Sequence, residues 1–482
     1  LIKNVLVIAS KLTIEERFAS LELRIKQLED ENGNLRAIII LKDAKIAELE
    51  TKVKELTERL NKNSSNSHKP PSSDGYGKKP AFVKGKGGKQ GGQKGHKGGT
   101  LLMVSNPDKT KPLIPLVCNC GHDISNEPRM LGEERQVKDI PKPKIIVTSY
   151  QQYVVQCPCC GKKNKVQFPD DINSAVQYGN RVRTLSVLLN TDYKVPVKKI
   201  SSLFGDLYGI TPNEGSIISN NRRCYENLEP VEHQIKEEIK SSAVAHSDES
   251  GVRVEGKLHW LHTTSTLMYT YFYIHAKRGS DAITDACSII AEYTGTLIHD
   301  CYESYFKLTK AKHGLCGAHL LRELAAQIED KKPWAQTMTD LLMELLKTAA
   351  EQNIIDKEHI EQKYNEIIAT GKAHEPPPIK SGKRGKYKRS KGLNLLERLD
   401  KHKTSVLAYA YDSDIPFTNN LAERDLRPSK IKMKVSNTFR STAGAEHHAR
   451  IAGFTSTLRK QNINVFSSLL DVFNRKEFTF DQ

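Results

Sequence analysis

Three successive runs of β-branched and aromatic residues constrain the fold of this chain more than any other feature of its sequence. The runs AVAHSD, KLHWLHTTS and MYTYFYIHA lie between residues 243 and 276, and their composition predicts three strands. They are followed by a predicted helix, SDAITDACSIIAEY, a short buried strand, GTLIHD, a short helix, YESYFKL, and a further strand, HGLCGAH. The order β-β-β-α-β-α-β predicts a mixed α/β core.

Two aspartates stand where strands of this core are expected to stop. Asp248 is predicted to end the first strand, and Asp300 ends the apolar run TLIHD. Ligands gather at the carboxyl ends of strands in open α/β sheets, so adjacent first and fourth strands would place the two carboxylates side by side. Close carboxylates repel unless cations bridge them, and Mg²⁺ prefers carboxylate oxygens. Glu249 is expected to point to the other face of the strand and to matter less.

A third carboxylate, Glu423, lies in the segment TNNLAERDLRP, which predicts a helix capped by Thr418 or Asn419. Two Mg²⁺ ions about 4 Å apart, held by three carboxylates, would clamp the attacking and leaving oxygens of a phosphoryl displacement. Arg424 and Arg427 are candidate contacts for phosphate, and Arg427 shares a helical face with Glu423. Each carboxylate alone is better explained as a solvated or capping acid. Their combination favours a metal site.

A seam of apolar residues at alternating spacings of three and four predicts a coiled coil over residues 15–62. Two seam positions are polar, Asn32 and Lys42, and a single Asn in such a seam commonly sets register and oligomer state. The seam holds over more than three heptads, which favours self-association into a homo-oligomer. The alternative is a long amphipathic helix packed on its own chain.

The net charge of the chain indicates its partners rather than its fold. The formal charge is +17, which makes nucleic acid the leading partner and an anionic membrane surface the rival. The sequence has no run of about 18 apolar residues, so no membrane span is expected, and the opening LIKNVLVIAS does not resemble a signal peptide. Residues 63–110 are rich in Gly, Lys and Pro, which predicts a flexible basic linker that trails along phosphates or is simply solvated.

Five of the nine cysteines lie between Cys118 and Cys160, and such clustering indicates a metal site in a reducing compartment rather than a disulfide framework. The motifs CNCG and CPCCG each place a Gly after a Cys, as in zinc knuckles. Two such pairs make a closed structural Zn²⁺ site. The expected ligands, in a zinc-ribbon-like domain over residues 111–170, are Cys118, Cys120, Cys157 and Cys160.

Residues 178–240 predict a helical domain whose segment 196–225 reads as helix, Gly-containing turn and helix. Thr211 is the expected N-cap of the second helix, with Pro212 at its first position. Arg222 and Arg223, late in that helix, are candidate DNA contacts; the alternative is an ordinary helical hairpin. The basic loop KSGKRGKYKRSK, at 380–391, includes Lys383 and Arg384 and is expected to meet backbone phosphates.

Taken together, the motifs resemble the transposases of insertion-sequence family sixty-six, the TnpC type. The resemblance runs from about residue 60 to 445 and rests on NSSNSHKPPSSDG with GGQKGHKGG, the paired CG motifs, HSDESG, HDCYESY, CGAHLLREL and NNLAERDLRPSKIKMKVSNTFRS. It implies an RNase H-like catalytic core with a DDE triad on Asp248, Asp300 and Glu423, and a helical insertion before the Glu. The first cysteine pair departs from the family pattern, because one residue rather than two separates its members.

The motif CGAHLLREL contains Cys316 and His319 at three-residue spacing, with Arg322 three further on. A lone pair of this kind is weak evidence for a metal site. We expect His319 and Arg322 to share a helical face and to contact the scissile phosphate. The alternative is a structural histidine near the start of a helix.

The sequence thus predicts a multidomain α/β transposase, prokaryotic, cytoplasmic and associated with the nucleoid. Its parts are a coiled coil (15–62), a basic linker (63–110), a zinc ribbon (111–170), a helical DNA-binding domain (178–240), an RNase H-like core (241–317 and 411–445), a helical insertion (318–410) and C-terminal helices (446–482). Mg²⁺, or Mn²⁺, would support cleavage of element ends and their joining to target DNA. Small accessory proteins of the same element are implied as partners. The rival hypotheses are a non-catalytic DNA-binding regulator and an inactive remnant of an element.

Overall fold

The computed structural model describes residues 13–62, 66, 101–351, 355–380 and 387–480. The chain divides into two compact units, one of Leu1–Ala81 and Leu321–Gln336 and the other of Phe82–Leu320 and Thr337–Gln482. The first unit contains α1 (Ile14–Asn61), a continuous helix of 48 residues. Thr13 and Glu16 close its N-terminus as a capping box. The predicted N-terminal helix is therefore present over the expected range.

Little regular structure forms in the described residues between 101 and 179. β1 (Val154–Gln156) pairs antiparallel with β2 (Lys163–Lys165), and Val117 forms an isolated bridge with Asp123. Each pairing closes a turn that carries cysteines. The longer β-like runs that the sequence suggests here do not form strands among the described residues.

Four helices follow, as the composition of residues 178–240 predicts. They are α2 (Asn180–Val187), which continues into a π-helical turn (Leu188–Asp192), α3 (Val197–Tyr208), α4 (Glu214–Asn227) and α5 (Glu229–Ser241). Gly209 ends α3 in the left-handed conformation, at a φ of 69°. The N-cap of α4 is Asn213, whose side chain accepts a hydrogen bond from the N–H of Gly215. The expected cap at Thr211 is therefore wrong by two residues.

A five-stranded mixed sheet forms the centre of the second unit, in agreement with the predicted α/β core. Its strands are β3 (Val244–Val254), β4 (Lys257–Ser265), β5 (Thr270–His275), β6 (Thr296–His299) and β7 (Lys312–Leu315), in the spatial order β5-β4-β3-β6-β7. β3, β4 and β5 are antiparallel, and β6 and β7 run parallel to β3. Glu255 and Gly256, both with positive φ, form the two-residue turn between β3 and β4.

The helix predicted after β5 is much shorter than expected. Only α6 (Ser280–Ile283) is helical, and a 3₁₀ turn (Tyr305–Lys307) follows β6. Asp285 accepts a hydrogen bond from the N–H of Cys287, and a side-chain bond of this kind stabilises a turn in place of a helix. The apolar residues of the remainder, Ile289, Ile290 and Tyr293, are still buried.

Each face of the sheet is covered by helices. One face contributes Ala245, Tyr271 and Leu297 to a core that includes Ile235 of α5 and Tyr305. The other face contributes Val252, Leu261 and Phe272, which pack with Leu426 and Ala449. The last two residues belong to C-terminal helices, so these helices close the sheet on the face opposite α5.

The rest of the chain is mainly helical, as expected for the insertion and the C-terminal region. After β7 come α7 (Gly317–Glu329), α8 (Pro333–Ala350), α9 (Lys357–His374), a hairpin of β8 (Ile379–Lys380) and β9 (Tyr387–Lys388), α10 (Lys391–Lys401), α11 (Lys403–Tyr411), α12 (Asn420–Ser436), α13 (Thr442–Lys460) and α14 (Val465–Phe473). Among the described residues, none of the helices combines the length and apolar composition that crossing a membrane requires.

Candidate active site

Asp248 lies on β3, and Asp300 directly follows β6, the parallel strand beside it. The ladder between these strands ends where His246 pairs with Ile298, and continuing its register by two residues would set Asp248 opposite Asp300. Residues opposite each other on adjacent strands project from the same face. That register would place both carboxylates on one face of the sheet, and the charge of Asp300 does contribute to the raised pKa of Asp248.

The first strand does not stop at Asp248, as the sequence suggested, but continues to Val254. Asp248 pairs with Thr263 of β4 in the middle of the strand. What ends near Asp248 is the ladder with β6, because β6 itself stops at His299. The carboxylate of Asp248 thus stands where β3 loses one of its two neighbouring strands.

The N-terminus of α12, which carries Glu423, is fixed to β3 beside Asp248 by Asn419. The Oδ1 of Asn419 lies 3.0 Å from Nδ1 of His246, and its Nδ2 donates to the carbonyl of Ser247 at 2.8 Å. Asn419 is the N-cap residue of α12, but its side chain makes no capping hydrogen bond. The expected cap position at Asn419 is therefore correct, but its side chain does not close the end of the helix. The asparagine instead positions the first turn of the helix against the strand.

Burial and neighbouring negative charge both act on Asp248. Burial raises the pKa of its carboxyl to about 8, with further contributions from the charges of Glu249, Asp300 and Glu423. A hydrogen bond of 2.9 Å from the N–H of Glu249 acts in the opposite direction. Within the described residues, no Lys or Arg forms an ion pair with Asp248, Asp300 or Glu423. The three carboxylates thus lack an ion-pairing Lys or Arg, although the charge of Asp300 also acts on Arg278, and a bound cation would relieve their mutual repulsion.

Cys316 and His319 are closer to Glu423 than the sequence alone indicated. Cys316 follows β7, and its Sγ accepts a hydrogen bond from the N–H of Asn419 at 3.2 Å. The Nδ1 of His319 lies 3.8 Å from Oε1 of Glu423. Over the part of the chain that the structure describes, Cys316, His319 and Glu423 are the only three such side chains whose ligand atoms all lie within 4.8 Å. The triad of Asp248, Asp300 and Glu423 is coupled electrostatically but is more widely spaced.

Gly317 allows Cys316 and His319 to lie close to Glu423. Gly317 begins α7, and its N–H donates to the carbonyl of Phe417 at 2.8 Å. A Cβ at position 317 would overlap the ring of Phe417. Only glycine therefore lets the start of α7, with Cys316 and His319, pack against the segment that leads into α12.

Glu249 points away from Asp248, as expected, but it is not a minor residue. Its side chain is 1% exposed and accepts a hydrogen bond from Nε of Arg278 at 2.7 Å. The hydroxyl of Tyr305 donates to its other oxygen at 2.5 Å. The guanidinium of Arg278 lies over the rings of Tyr302, at 4.3 Å, and Trp260, at 5.0 Å. Local sequence patterns contain no signal for this network, because Arg278 and Tyr305 are remote from Glu249 along the chain.

A buried ion pair holds α12 from its other side. Lys460 at the end of α13 lies 2.6 Å from Asp425, and the two side chains are 10% and 7% exposed. Thr270 of β5 donates to the same carboxylate at 3.1 Å, and Lys460 also donates to the carbonyl of Thr266 at 2.8 Å. Asp425 therefore joins α12 to α13 and to the edge of the sheet, two residues after Glu423.

The predicted DNA-contacting residues are distributed over several elements. Arg424 and Arg427 are exposed on α12. Arg222 is exposed on α4 and lies 3.6 Å from Glu226, whereas Arg223 is partly buried. Arg322 is partly buried on α7, in the part of that helix assigned to the first unit. Lys383 and Arg384 lie outside the described residues.

The cysteine motifs form two local turns rather than one assembled site. In the first, the N–H of Gly121 donates to the carbonyl of Cys118, and Gly121 has a φ of 90°. In the second, Gly161 repeats this arrangement with Cys157 at a φ of 69°. Hydrogen bonds from the backbone of Cys120 lower the pKa of Cys118, and those from Cys160 and Cys159 lower the pKa of Cys157.

The described residues do not bring Cys118, Cys120, Cys157 and Cys160 within ligand distance of one another. Each turn has the left-handed glycine and the backbone N–H groups of a zinc knuckle. The pairing of the two turns around one Zn²⁺ ion stays a prediction.

Comparison with known families agrees with this arrangement. The Transposase IS66 family matches residues 175–447, which include the sheet, all three carboxylates and the helices between them. A family of unknown function (DUF6444) matches residues 11–101. No curated protein matches the chain. Because the first match extends over more than half of the sequence, the chain belongs to the IS66 family of transposases.

Proposed function

We propose that this transposase cuts the ends of its insertion sequence and joins them to target DNA with an RNase H-like core and a DDE triad. The observation that carries the proposal is the position of Asp248 on β3 beside the end of β6, where the charge of Asp300 acts on its carboxyl group. The charge of Glu423, on the helix fixed beside β3, acts on the same carboxylate. The strand order, with β3 central between an antiparallel and a parallel half, supports the RNase H-like assignment.

The residues present fit divalent cations. The donors are three carboxylates without a Lys or Arg partner among the described residues, and Oε1 of Glu423 there has no hydrogen-bond partner. Hard oxygen donors of this kind suit Mg²⁺ or Mn²⁺. When bound, such ions polarise the scissile phosphate and help to deprotonate the attacking oxygen. Asp248, Asp300 and Glu423 would hold them.

The chain's own residues would bind and orient the DNA. Arg424 and Arg427 are exposed beside Glu423 and would contact backbone phosphates, and His319 would contact the scissile phosphate. Water first displaces the 3′ oxygen of the element end from phosphorus, which leaves a free 3′-hydroxyl. That hydroxyl then attacks a target phosphate, and a target 3′ oxygen leaves. No covalent bond between enzyme and DNA is needed.

Other parts of the chain would supply affinity and assembly. We propose that the basic linker and the loop with Lys383 and Arg384 bind phosphates without sequence preference. Arg322 and the helical domain with Arg222 and Arg223 would add contacts to the element ends, and a Zn²⁺ ion would join the two cysteine turns. The long helix α1 would mediate self-association, and small accessory proteins would complete the system. A non-catalytic regulator is not favoured, because the family match covers the carboxylate-bearing core.

The test replaces each carboxylate by its amide, as Asp248→Asn, Asp300→Asn and Glu423→Gln. Each amide preserves shape and removes a metal ligand's charge, so cleavage of end-containing DNA in Mg²⁺ should fall by roughly 10²-fold or more. Binding of the same DNA should persist. Asp281→Asn is the matched control, because Asp281 is an exposed carboxylate on the short helix α6.

Binding of Mn²⁺, followed by electron paramagnetic resonance, gives a second readout that does not depend on catalysis. The triad variants should bind Mn²⁺ more weakly than the wild type and the Asp281→Asn variant. Full cleavage activity in any triad variant would show that its carboxylate is misassigned.

A further inference from the structure

The apolar seam of α1 is exposed along its whole length. Its side chains are about half accessible, for example 54% for Ile25, 56% for Leu35 and 49% for Leu49. Heptad position a, counted from Phe18, is occupied by Phe18, Ile25, Asn32, Ile39, Ile46, Val53 and Leu60, and position d by Leu21, Leu28, Leu35, Lys42, Leu49 and Leu56. An apolar stripe of this length on a helix of 48 residues requires a partner.

We propose that the partner is α1 of a second copy of this chain, in a parallel, two-stranded coiled coil. Position a is Ile or Val at four of its seven occurrences, and position d is Leu at five of six. β-Branched residues at a combined with Leu at d favour two parallel strands over three or four. In the parallel arrangement Asn32 meets Asn32 of the second copy, where the two amides can hydrogen-bond to each other. Lys42 likewise meets Lys42 of the second copy, and both ammonium groups must extend from the seam into water.

The charges that flank the seam select the parallel orientation. In a parallel pair, position g of one helix meets position e of the following heptad in the other. At each of these contacts between position g and position e where both residues are charged, the two charges are then opposite. These pairs are Arg17 with Glu22, Arg24 with Glu29, Glu31 with Arg36 and Lys45 with Glu50. Each of the four occurs twice in the dimer by symmetry.

The antiparallel alternative joins mostly like charges. When the two seams overlap fully in opposite directions, e positions meet e positions and g positions meet g positions. This brings together Glu22 with Glu50, Glu29 with Asp43, Arg36 with Arg36 and Arg24 with Lys52, and leaves only Glu31 with Lys45 attractive. Like charges at such sites disfavour a pairing even where each opposite-charge pair contributes little.

Parallel pairing has a consequence for the reaction. This consequence rests on the proposed function, whereas the pairing itself does not. Both helices end at Asn61 on the same side of the dimer, so both chains continue from one point. One dimer would supply one catalytic core for each end of the element, and association through α1 would raise the effective concentration of the second core at the first.

The orientation can be read from one double variant of the full-length chain, Ile25→Cys with Leu49→Cys. After mild oxidation, mass spectrometry identifies which peptides are joined. A parallel dimer gives only disulfides between identical positions of the two chains, because positions 25 and 49 are about 36 Å apart along the helix. An antiparallel dimer joins position 25 of one chain to position 49 of the other, and that result would overturn the proposal. Ala37→Cys, on the outer face of the helix, is the control that should not cross-link.

A charge exchange tests the same pairing without cysteines. Arg24→Glu and Glu29→Lys each replace an attractive pair by a repulsive one, twice per dimer, and should weaken dimerisation by roughly two- to tenfold. The double variant restores opposite charges and should recover wild-type dimerisation in sedimentation equilibrium. Additive weakening in the double variant, or a monomeric wild-type chain at micromolar concentration, would contradict the parallel dimer. Neither measurement depends on DNA cleavage, so failure here leaves the proposed chemistry standing.

Discussion

Replacing Asp248 by Asn should stabilise the metal-free protein at alkaline pH while it removes catalysis. The ordinary pKa of an Asp is 3.8, and burial together with nearby carboxylates raises that of Asp248 to about 8. A pKa raised by folding means that the carboxyl destabilises the fold progressively as the pH rises from about 4 to 8. At about 1.4 kcal/mol per pH unit, the penalty at pH 8 and above is on the order of 5 kcal/mol. The Asn variant has no such penalty, and its Oδ1 can still accept the bond from the N–H of Glu249.

The assay is thermal unfolding of both proteins in EDTA between pH 5 and pH 9. The Asn variant should melt on the order of 10 °C above the wild type at pH 8.5, and this difference should shrink towards pH 5. Mg²⁺ should then stabilise the wild type, by about 1.4 kcal/mol at a tenfold excess over its dissociation constant, and leave the variant unchanged. Parallel pH profiles for the two proteins would refute the assignment of a buried, uncompensated carboxylate at position 248.

Three further outcomes follow from other parts of the structure. Glu249→Gln should lower the free energy of unfolding by about 2–4 kcal/mol, because Arg278 and Tyr305 lose a buried carboxylate, yet cleavage should persist at low temperature; an unchanged melting temperature would contradict this. Gly317→Ala should displace the start of α7 and reduce cleavage, with a destabilisation of roughly 1–3 kcal/mol, whereas wild-type activity would show that the close approach is unimportant. Cys157→Ser should release Zn²⁺, measured by atomic absorption, and an equal metal content in wild type and variant would remove the zinc assignment.

The parts of the core that sequence reasoning anticipates are those encoded locally. Runs of β-branched and aromatic residues mark β3, β4 and β5, and the short apolar run before Asp300 marks β6. The proximity of Asp248 and Asp300 follows once β3 and β6 are neighbours. The proposed triad can therefore be nominated from a single sequence, because two of its members lie at strands and the third lies on a helix with a clear polar face.

The features that were missed depend on partners remote in sequence. The length of β3 beyond Asp248 depends on its pairing with β4 rather than on its own composition. Asn419 was expected to cap its helix, but His246 and Ser247, more than 170 residues earlier, offer it better partners. Local propensity contains no information on hydrogen-bond partners that are remote in sequence. Predictions from local propensity therefore fail at helix caps and strand ends.

The distribution of cations around the site explains how this core tolerates its buried acids. Glu249 has Arg278, and Asp425 has Lys460, so the two acids beside the triad are neutralised within the protein. Both pairs also bind separate elements together, and they fix β3 and α12 where Asp248 and Glu423 are held. The three proposed catalytic carboxylates form no such ion pair in the described part of the chain, although the charge of Asp300 also acts on Arg278. Under the proposed function, divalent cations would neutralise Asp248, Asp300 and Glu423, and metal binding would then also stabilise the core.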